Sequence, residues 1–260
     1  MTEAPVVLAE LLELADAAAD AVVEALVSAD ARSDLGIDTK SSATDLVTAM
    51  DRWAEETIVA TLLGARPDDG LVGEEGADKP SSTGVVWVID PIDGTTNFVR
   101  DLPGFSVSIA ARVDGVDAVG VVADPVRSER FHGLLGGGAT CNGEPIRVTG
   151  AHDLSRALVA TGFNYRPEIR TTQAITVARL LPEVADIRRF GGAAIDCCFV
   201  ASGRVDAYFE SGVQDWDIAA GGLIVREAGG VTADRRSDGG PYLAAAPGLA
   251  DPLAAAIGAA

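Results

Sequence analysis

The chain opens on a helical pattern. From about Pro5 to Val27 the sequence is rich in Ala, Leu and Glu, with apolar positions recurring at helical spacing, which predicts an amphipathic helix. A polar stretch, DLGIDTKSSATD (34–45), carries Lys40 and leads into a second predicted helix from about Ala43 to Leu63. Leu46, Val47, Met50 and Ile58 would form part of its buried face, Asp45 would sit in its first turn, and Gly64 supplies a stop. Strand character then takes over. LVGEEG (71–76) reads as a short strand ending in Glu74 and Glu75, and VVWVID (85–90) as a near-continuous apolar strand of the kind buried on both faces. FSVSIAARV and DAVGVVADP predict a hairpin turned at Asp114-Gly115.

Beyond about residue 150 strands and helices alternate. Strands are expected near 157–162, 184–188, 205–210, 231–233 and 242–246. Helices are expected near 168–181, 192–202 and 217–228, the last two closed by Gly203 and Gly229-Gly230, with a final helix starting at Asp251-Pro252. The fold class is therefore layered α/β and α+β, in two subdomains that meet at a cleft. Residues 1–150 form an N-terminal α+β part and residues 151–260 a C-terminal α/β part.

Composition narrows the function. Apolar residues make up 48% and charged residues 23%, ordinary values for a globular chain of 260 residues. No uncharged apolar run reaches the roughly 18 residues of a membrane-spanning helix. The first twenty residues, MTEAPVVLAELLELADAAAD, hold no basic residue, unlike a signal or transit peptide, so a cytoplasmic location is expected. Cys141, Cys197 and Cys198 are too few for a disulfide framework or a zinc site and read as buried or incidental thiols. With only His132 and His152 available, a His-ligated metal site or a Ser-His-Asp hydrolase has little to draw on. The net charge of −19 argues against nucleic acid and anionic membranes as partners. It would also repel a phosphate ester unless a cation stood between protein and substrate.

The acids supply that possibility. Glu74/Glu75, Asp90/Asp93 and Asp215/Asp217 each fall at a strand end or helix start, and Asp45 and Asp51 add a fourth region. Carboxylates converging on a cleft need a cation to remain ionised together, and hard oxygen donors point to Mg²⁺ or a similar ion. The DGTTNF segment (93–98) adds a glycine that permits close backbone approach and a helix start whose N–H groups suit an anion. Carboxylates for metal beside amides for an anion describe a phosphate-ester site, where paired cations can stabilise both attacking and leaving oxygens. A haloacid-dehalogenase-type D-x-D-G-T nucleophile is one residue shorter than D-P-I-D-G-T and belongs on the first strand, and no EF-hand loop is present.

GEE (73–75), WVIDPIDGTTNF (87–98) and WDIAAGGLIVREAGG (216–230), together with TKSSATDLVTAMD (39–51) and RRFGGAAIDCCFVASGRVDAYFE (188–210), closely resemble the inositol monophosphatase family. KSS, GTTNFV and AYFE are most similar to its inositol-1-phosphatase branch, which includes bacterial members. The resemblance implies a layered α-β-α-β-α sandwich of the inositol monophosphatase / fructose-1,6-bisphosphatase type, usually homodimeric. It also implies lithium-sensitive hydrolysis of a small phosphorylated polyol with two to three Mg²⁺ ions. Carried over by position, Glu74, Asp90 and the Ile92 carbonyl would hold one ion. Asp90, Asp93 and Asp217 would hold a second, and a weaker third would lie near Glu74. Thr95 and Asp45 match the pair that orients and deprotonates the attacking water, and the amides of Gly94 and Thr95 would receive phosphate oxygens. Asp93, Ala193, Glu210 and Asp217 would border the polyol, with Lys40 and Glu75 supporting. Gly192 departs from relatives that often carry a hydroxyl-bearing residue there.

Overall fold

In the computed structural model, residues 4–28, 36, 38–39 and 46–258 are described. Two helices, α1 (Ala4–Val27) and α2 (Ala49–Ala65), lead the chain, separated by a two-residue ladder of β1 (Asp38–Thr39) and β2 (Leu46–Val47). The expected helix start at Ala43 is corrected: α2 begins only after Thr48, and Leu46 and Val47 are extended, not helical. The reason is a capping box. The Thr48 hydroxyl accepts from the amides of Met50 and Asp51, while the Asp51 carboxylate accepts from the Thr48 amide. At the other end Gly64 does not stop the helix, which runs on to Ala65.

A large mixed sheet follows. Its strands are β3 (Gly70–Gly73), β4 (Asp78–Lys79), β5 (Val85–Asp93), β6 (Ser106–Val113), β7 (Val116–Asp124), β8 (Glu129–Leu134), β9 (Gly138–Cys141) and β10 (Glu144–Pro145), with α3 (Thr95–Val99) after β5. The order is β10-β9-β8-β7-β6-β5-β3-β4, antiparallel except for the parallel β3–β5 pair. β5 is central, as its apolar run requires. Trp87 and Ile89 point into one core and Val88 into the other. The β6–β7 hairpin turns at Asp114-Gly115, both with positive φ (49° and 83°). Strands β8 to β10 are not anticipated by the sequence reading. They are short, and the signal that marks them is the Asn142-Gly143 turn, with φ of 50° and 82°.

The remaining elements are β11 (Leu158–Thr161), α4 (Pro167–Leu180), β12 (Asp186–Arg188), α5 (Ala193–Ala201), β13 (Ala207–Glu210), α6 (Asp215–Glu227), β14 (Val231–Asp234), β15 (Tyr242–Ala245) and α7 (Ala250–Ala256). Their five strands order as β12-β11-β13-β15-β14. Three buried clusters define the layers. Leu11, Leu26, Ile58 and Leu62 of α1 and α2 pack on Trp87, Ile109 and Val121 of the large sheet. Ile195, Phe199 and Ile224 of α5 and α6 fill the space between the two sheets, against Val88, Val122 and Tyr208. Leu180 and Leu253 of α4 and α7 cover the outer face of the smaller sheet at Val159, Phe209 and Leu243. This is the α-β-α-β-α sandwich. Cys197 and Cys198 are buried in its middle layer, and His132 is structural, its Nε2 lying 2.9 Å from Asp16 Oδ1 on α1. Among the described residues no helix is long and apolar enough to cross a membrane.

The capping box gives a direct test. Thr48→Ala removes the side-chain acceptor and should cost about 1 kcal/mol, within the 0.5–2 kcal/mol range of such caps, in urea unfolding of the metal-free protein. An unchanged midpoint would show that the box does not hold α2.

Candidate active site

The site lies where β3 and β5, the parallel pair, end side by side. Glu74 follows β3 directly, and its amide donates to the Ile89 carbonyl at 3.2 Å. On β5 the pairing with β6 breaks between Asp90 and Asp93, where Pro91 and Ile92 form an irregularity. That break lets Asp90, Ile92 and Asp93 all border one cavity of about 420 Å³, together with Glu74, Gly94 and Thr95. The chain then turns into α3 through Gly94, at φ 90°. A Cβ there would lie 2.7 Å from the Gly104 carbonyl oxygen, so only glycine fits.

Three helix N-termini hold carboxylates here, α5 and α6 at the cavity wall and α2 behind it. Asp93 reaches across to α5, where its two oxygens accept from the amides of Ala193 (3.1 Å) and Ala194 (2.7 Å). Asp217, in the first turn of α6, accepts from the Gln214 amide at 2.6 Å. Asp51, in the first turn of α2, commits Oδ2 to the Thr48 amide (2.7 Å) and hydroxyl (2.6 Å). Its Oδ1 meets the Thr95 hydroxyl at 3.1 Å, and that hydroxyl is equally 3.1 Å from the Ile92 carbonyl. Unpaired amides and the positive end of a helix stabilise a carboxylate, which is why acids can be set this deep. Behind them, Glu55 accepts from the amides of Glu75 (2.8 Å) and Ala77 (3.0 Å) and so fixes the turn that presents Glu74.

The electrostatics are those of crowded acids. Burial, then the charges of Glu74, Asp93 and Asp217, pushes the Asp90 carboxyl well above the usual carboxylate range. Burial also raises Asp93, against the pull of the Ala194 and Ala193 amides, to about 7. Asp217 is raised well above its ordinary value by burial and by Asp93 and Glu74, against the Gln214 amide. Asp51 is raised by burial, less so because Thr48 and Thr95 donate to it.

These residues fit a hard cation. Every donor is a carboxylate or carbonyl oxygen, and among the described residues no ion pair reaches Asp90, Asp93 or Asp217. Among the described residues no three acidic, His or Cys side chains are already closed into one coordination cluster. The acids instead line one cavity wall, held by separate elements. The chemistry of the donor set decides the fit: Arg166 and Arg189 also line the cavity, but Arg166 pairs with Glu168 and Arg189 faces Glu210, so Asp90, Asp93 and Asp217 are left to a cation.

The opposite wall suits a polar substrate. Glu210, raised by burial, accepts from the Tyr208 hydroxyl at 2.8 Å and lies near Arg189. Phe163, Asn164, Tyr165 and Gln214 complete this side. Gly192 sits against Asp93, where a Cβ would lie 2.5 Å from Oδ2, so a side chain here would require Asp93 to move.

The cavity thus brings together Glu74, Asp90, Ile92, Asp93, Gly94, Thr95, Ala193, Glu210 and Asp217, all of them expected from sequence. Ala193 borders the cavity, but its amide is taken by Asp93. Glu75 is outside the lining and is tied to Glu55 through its amide. Lys40 and Asp45 lie outside the described residues. The carboxylate on Thr95 is Asp51, which the sequence reading leaves without a role. The T-x-x-D spacing of Thr48 and Asp51 is the signal that would have found it. Arg189 and Tyr165 carry no sequence signal of their own.

The chain belongs to the inositol monophosphatase family, whose profile matches residues 7–258. It is 48% identical over 205 residues to "Nus factor SuhB" of Pasteurella multocida, covering 78% of this chain and 76% of that one. To "Inositol-1-monophosphatase SuhB" of Mycobacterium tuberculosis it is 46% identical over 231 residues, covering 84% and 80%. The crystal structure of extragenic suppressor protein suhB from Bartonella henselae superposes with a TM-score of 0.87 at 34% identity, over 95% of this chain and 98% of that one. Family and relatives support a phosphatase, and the family is in general metal-dependent.

The raised acids set a pH dependence. A carboxyl whose folded value exceeds its unfolded value stabilises the fold fully below the unfolded value, and that contribution is lost as pH rises through the folded one. With Asp93 moving from 3.8 to about 7, metal-free protein should lose melting temperature steadily across that window. Asp90→Asn keeps the bond from the Ile92 amide (3.1 Å) and removes one buried acid. In chelator it should melt above wild type at neutral pH and show a shallower fall. A wild-type melting temperature that rises across the window would contradict this.

Proposed function

We propose that the protein is a Mg²⁺-dependent phosphomonoesterase that hydrolyses inositol 1-phosphate to inositol and phosphate by direct attack of water. The observation that carries this is the Thr95 hydroxyl, set between the Asp51 carboxylate and the Ile92 carbonyl on the wall that also presents Glu74, Asp90, Asp93 and Asp217. Two to three Mg²⁺ ions would be held by Glu74, Asp90, the Ile92 carbonyl, Asp93 and Asp217. When bound, they supply neutralisation of the phosphate charge and activation of the attacking water.

The protein groups do the rest. Asp51 is not on the cavity wall, so Thr95 connects it to the water. With its basicity raised by burial and its Oδ2 fixed by the Thr48 cap, Asp51 takes the proton through the Thr95 hydroxyl. The amides of Gly94 and Thr95 bind phosphate oxygens. Glu210, oriented by Tyr208, accepts bonds from vicinal hydroxyls of the polyol. The relatives named for inositol-1-monophosphatase support this substrate over other small phosphates.

Phosphate release from inositol 1-phosphate, histidinol phosphate, a nucleoside 3′,5′-bisphosphate and fructose 1,6-bisphosphate tests the choice. Inositol 1-phosphate should give the highest kcat/KM; a value for histidinol phosphate about tenfold above it would overturn the substrate. Asp51→Asn should lower kcat by roughly 10²–10⁴ while Mg²⁺ binding survives. Inactivity of the wild type on every monoester would instead favour a partner-binding role, to which the name of the Pasteurella relative points.

A further inference from the structure

Helix α6 carries Asp217 into the cavity, and its outer side is tied by charges that the reaction does not use. Asp215 and Asp217 are two residues apart, about 200° around the helix, so the Asp215 side chain leaves in nearly the opposite direction. Asp215 Oδ2 accepts from Arg112 Nη1 at 3.0 Å, and Oδ1 from Arg236 Nη2 at 2.9 Å. Arg112 belongs to β6 of the large sheet and is itself fixed by Asp117 through Nε at 2.8 Å. Arg236 belongs to the β14–β15 connection of the smaller sheet and is gripped by both Asp234 oxygens, at 2.9 and 2.7 Å.

The far end of α6 repeats the pattern. Arg226 reaches Asp117 Oδ2 at 3.4 Å and Thr232 of β14 at 3.4 Å. Each end of the helix is therefore bound to both sheets. The grip at the Asp215 end is the tighter, and its members are only partly exposed: 26% for Arg112, 23% for Arg236 and 44% for Asp215. Isolated surface pairs contribute little, but linked pairs with forked arginine geometry fix position as well as charge.

Resting on the reading above that Asp217 holds a cation, we infer that the Arg112–Asp215–Arg236 clamp sets the position of Asp217 between the two sheets and thereby tunes cation affinity. None of the three borders the cavity, so each is a positioning residue. A displacement of the first turn of α6 moves Asp217 directly, whereas Glu74, Asp90 and Asp93 are held by other elements. The loss should fall on the ion that needs Asp217.

The test is calorimetric titration of the full-length, metal-free protein with Mg²⁺, alongside melting in chelator. Asp215→Asn and Arg236→Gln should each raise the Mg²⁺ dissociation constant about tenfold, the lower end of the effect of removing groups that orient metal ligands. The double variant should be scarcely worse than either single one, because both break the same clamp. Glu129→Gln is the control: it breaks a forked pair with Arg204 (2.6 Å to each oxygen) remote from α6. It should change melting yet leave Mg²⁺ affinity within about twofold. If Asp215→Asn fails to fold, Arg112→Lys, which keeps the charge but loses the fork, should weaken Mg²⁺ in the same direction. Wild-type affinity in folded Asp215→Asn or Arg112→Lys would overturn the clamp while leaving the phosphatase reading intact. Wild-type protein that binds no Mg²⁺ would overturn both.

Discussion

Several carboxylates share one cavity in this protein, and like charges cannot share a buried wall without help. Helix N-termini provide part of that help. α5 and α6 begin at the cavity and α2 just behind Thr95, and each spends backbone amides on one acid: Asp93, Asp217 and Asp51. The layered architecture follows from the need to bring those three starts together. α2 lies outside the large sheet, α5 and α6 between the sheets, so the acids can meet only at the sheet edge where β3 and β5 end.

The site is also a seam. Asp93 comes from the large sheet and is held by the middle helices, so its position reports the spacing of the layers. Asn97 stitches the same seam, its Nδ2 lying within hydrogen-bonding distance of the carbonyls of Pro103 (2.8 Å), Gly104 (3.2 Å) and Phe190 (2.7 Å). A carboxylate fixed by packing across layers cannot swing away from its neighbours to relieve repulsion. Burial first, and then the repulsion of neighbouring acids, therefore keeps the proton affinity of Asp90 and Asp217 raised.

How much of this is legible in the sequence depends on how local the cause is. The D-P-I-D-G-T run announces itself because an apolar strand ending in acids has no packing rationale, and the distant W-D pair supplies the partner. The αβ alternation after residue 150 is likewise local, since its periods and stops lie within each element. Asp51 is different. Its neighbour Asp45 looks equivalent in a polar approach to a helix, and only the Thr48 cap, which delays the helix to Ala49, separates them. The strands from Glu129 to Pro145 pair with their neighbours in sequence, but each run is too short to show a strand period of its own. The Arg112–Asp215–Arg236 contacts join residues over 20 and over 100 positions apart, and no local pattern announces them.

If a cation binds to these raised acids, then binding Mg²⁺ must displace protons. Calorimetric titration of the metal-free protein in buffers of different ionisation enthalpy counts them. At about pH 6, below the value near 7 of Asp93, Mg²⁺ binding should release protons, and the number should fall as pH rises and the site carboxyls ionise unaided. Binding that releases no protons at about pH 6 would mean that the acids are already ionised or that the ion sits elsewhere, and would contradict the account.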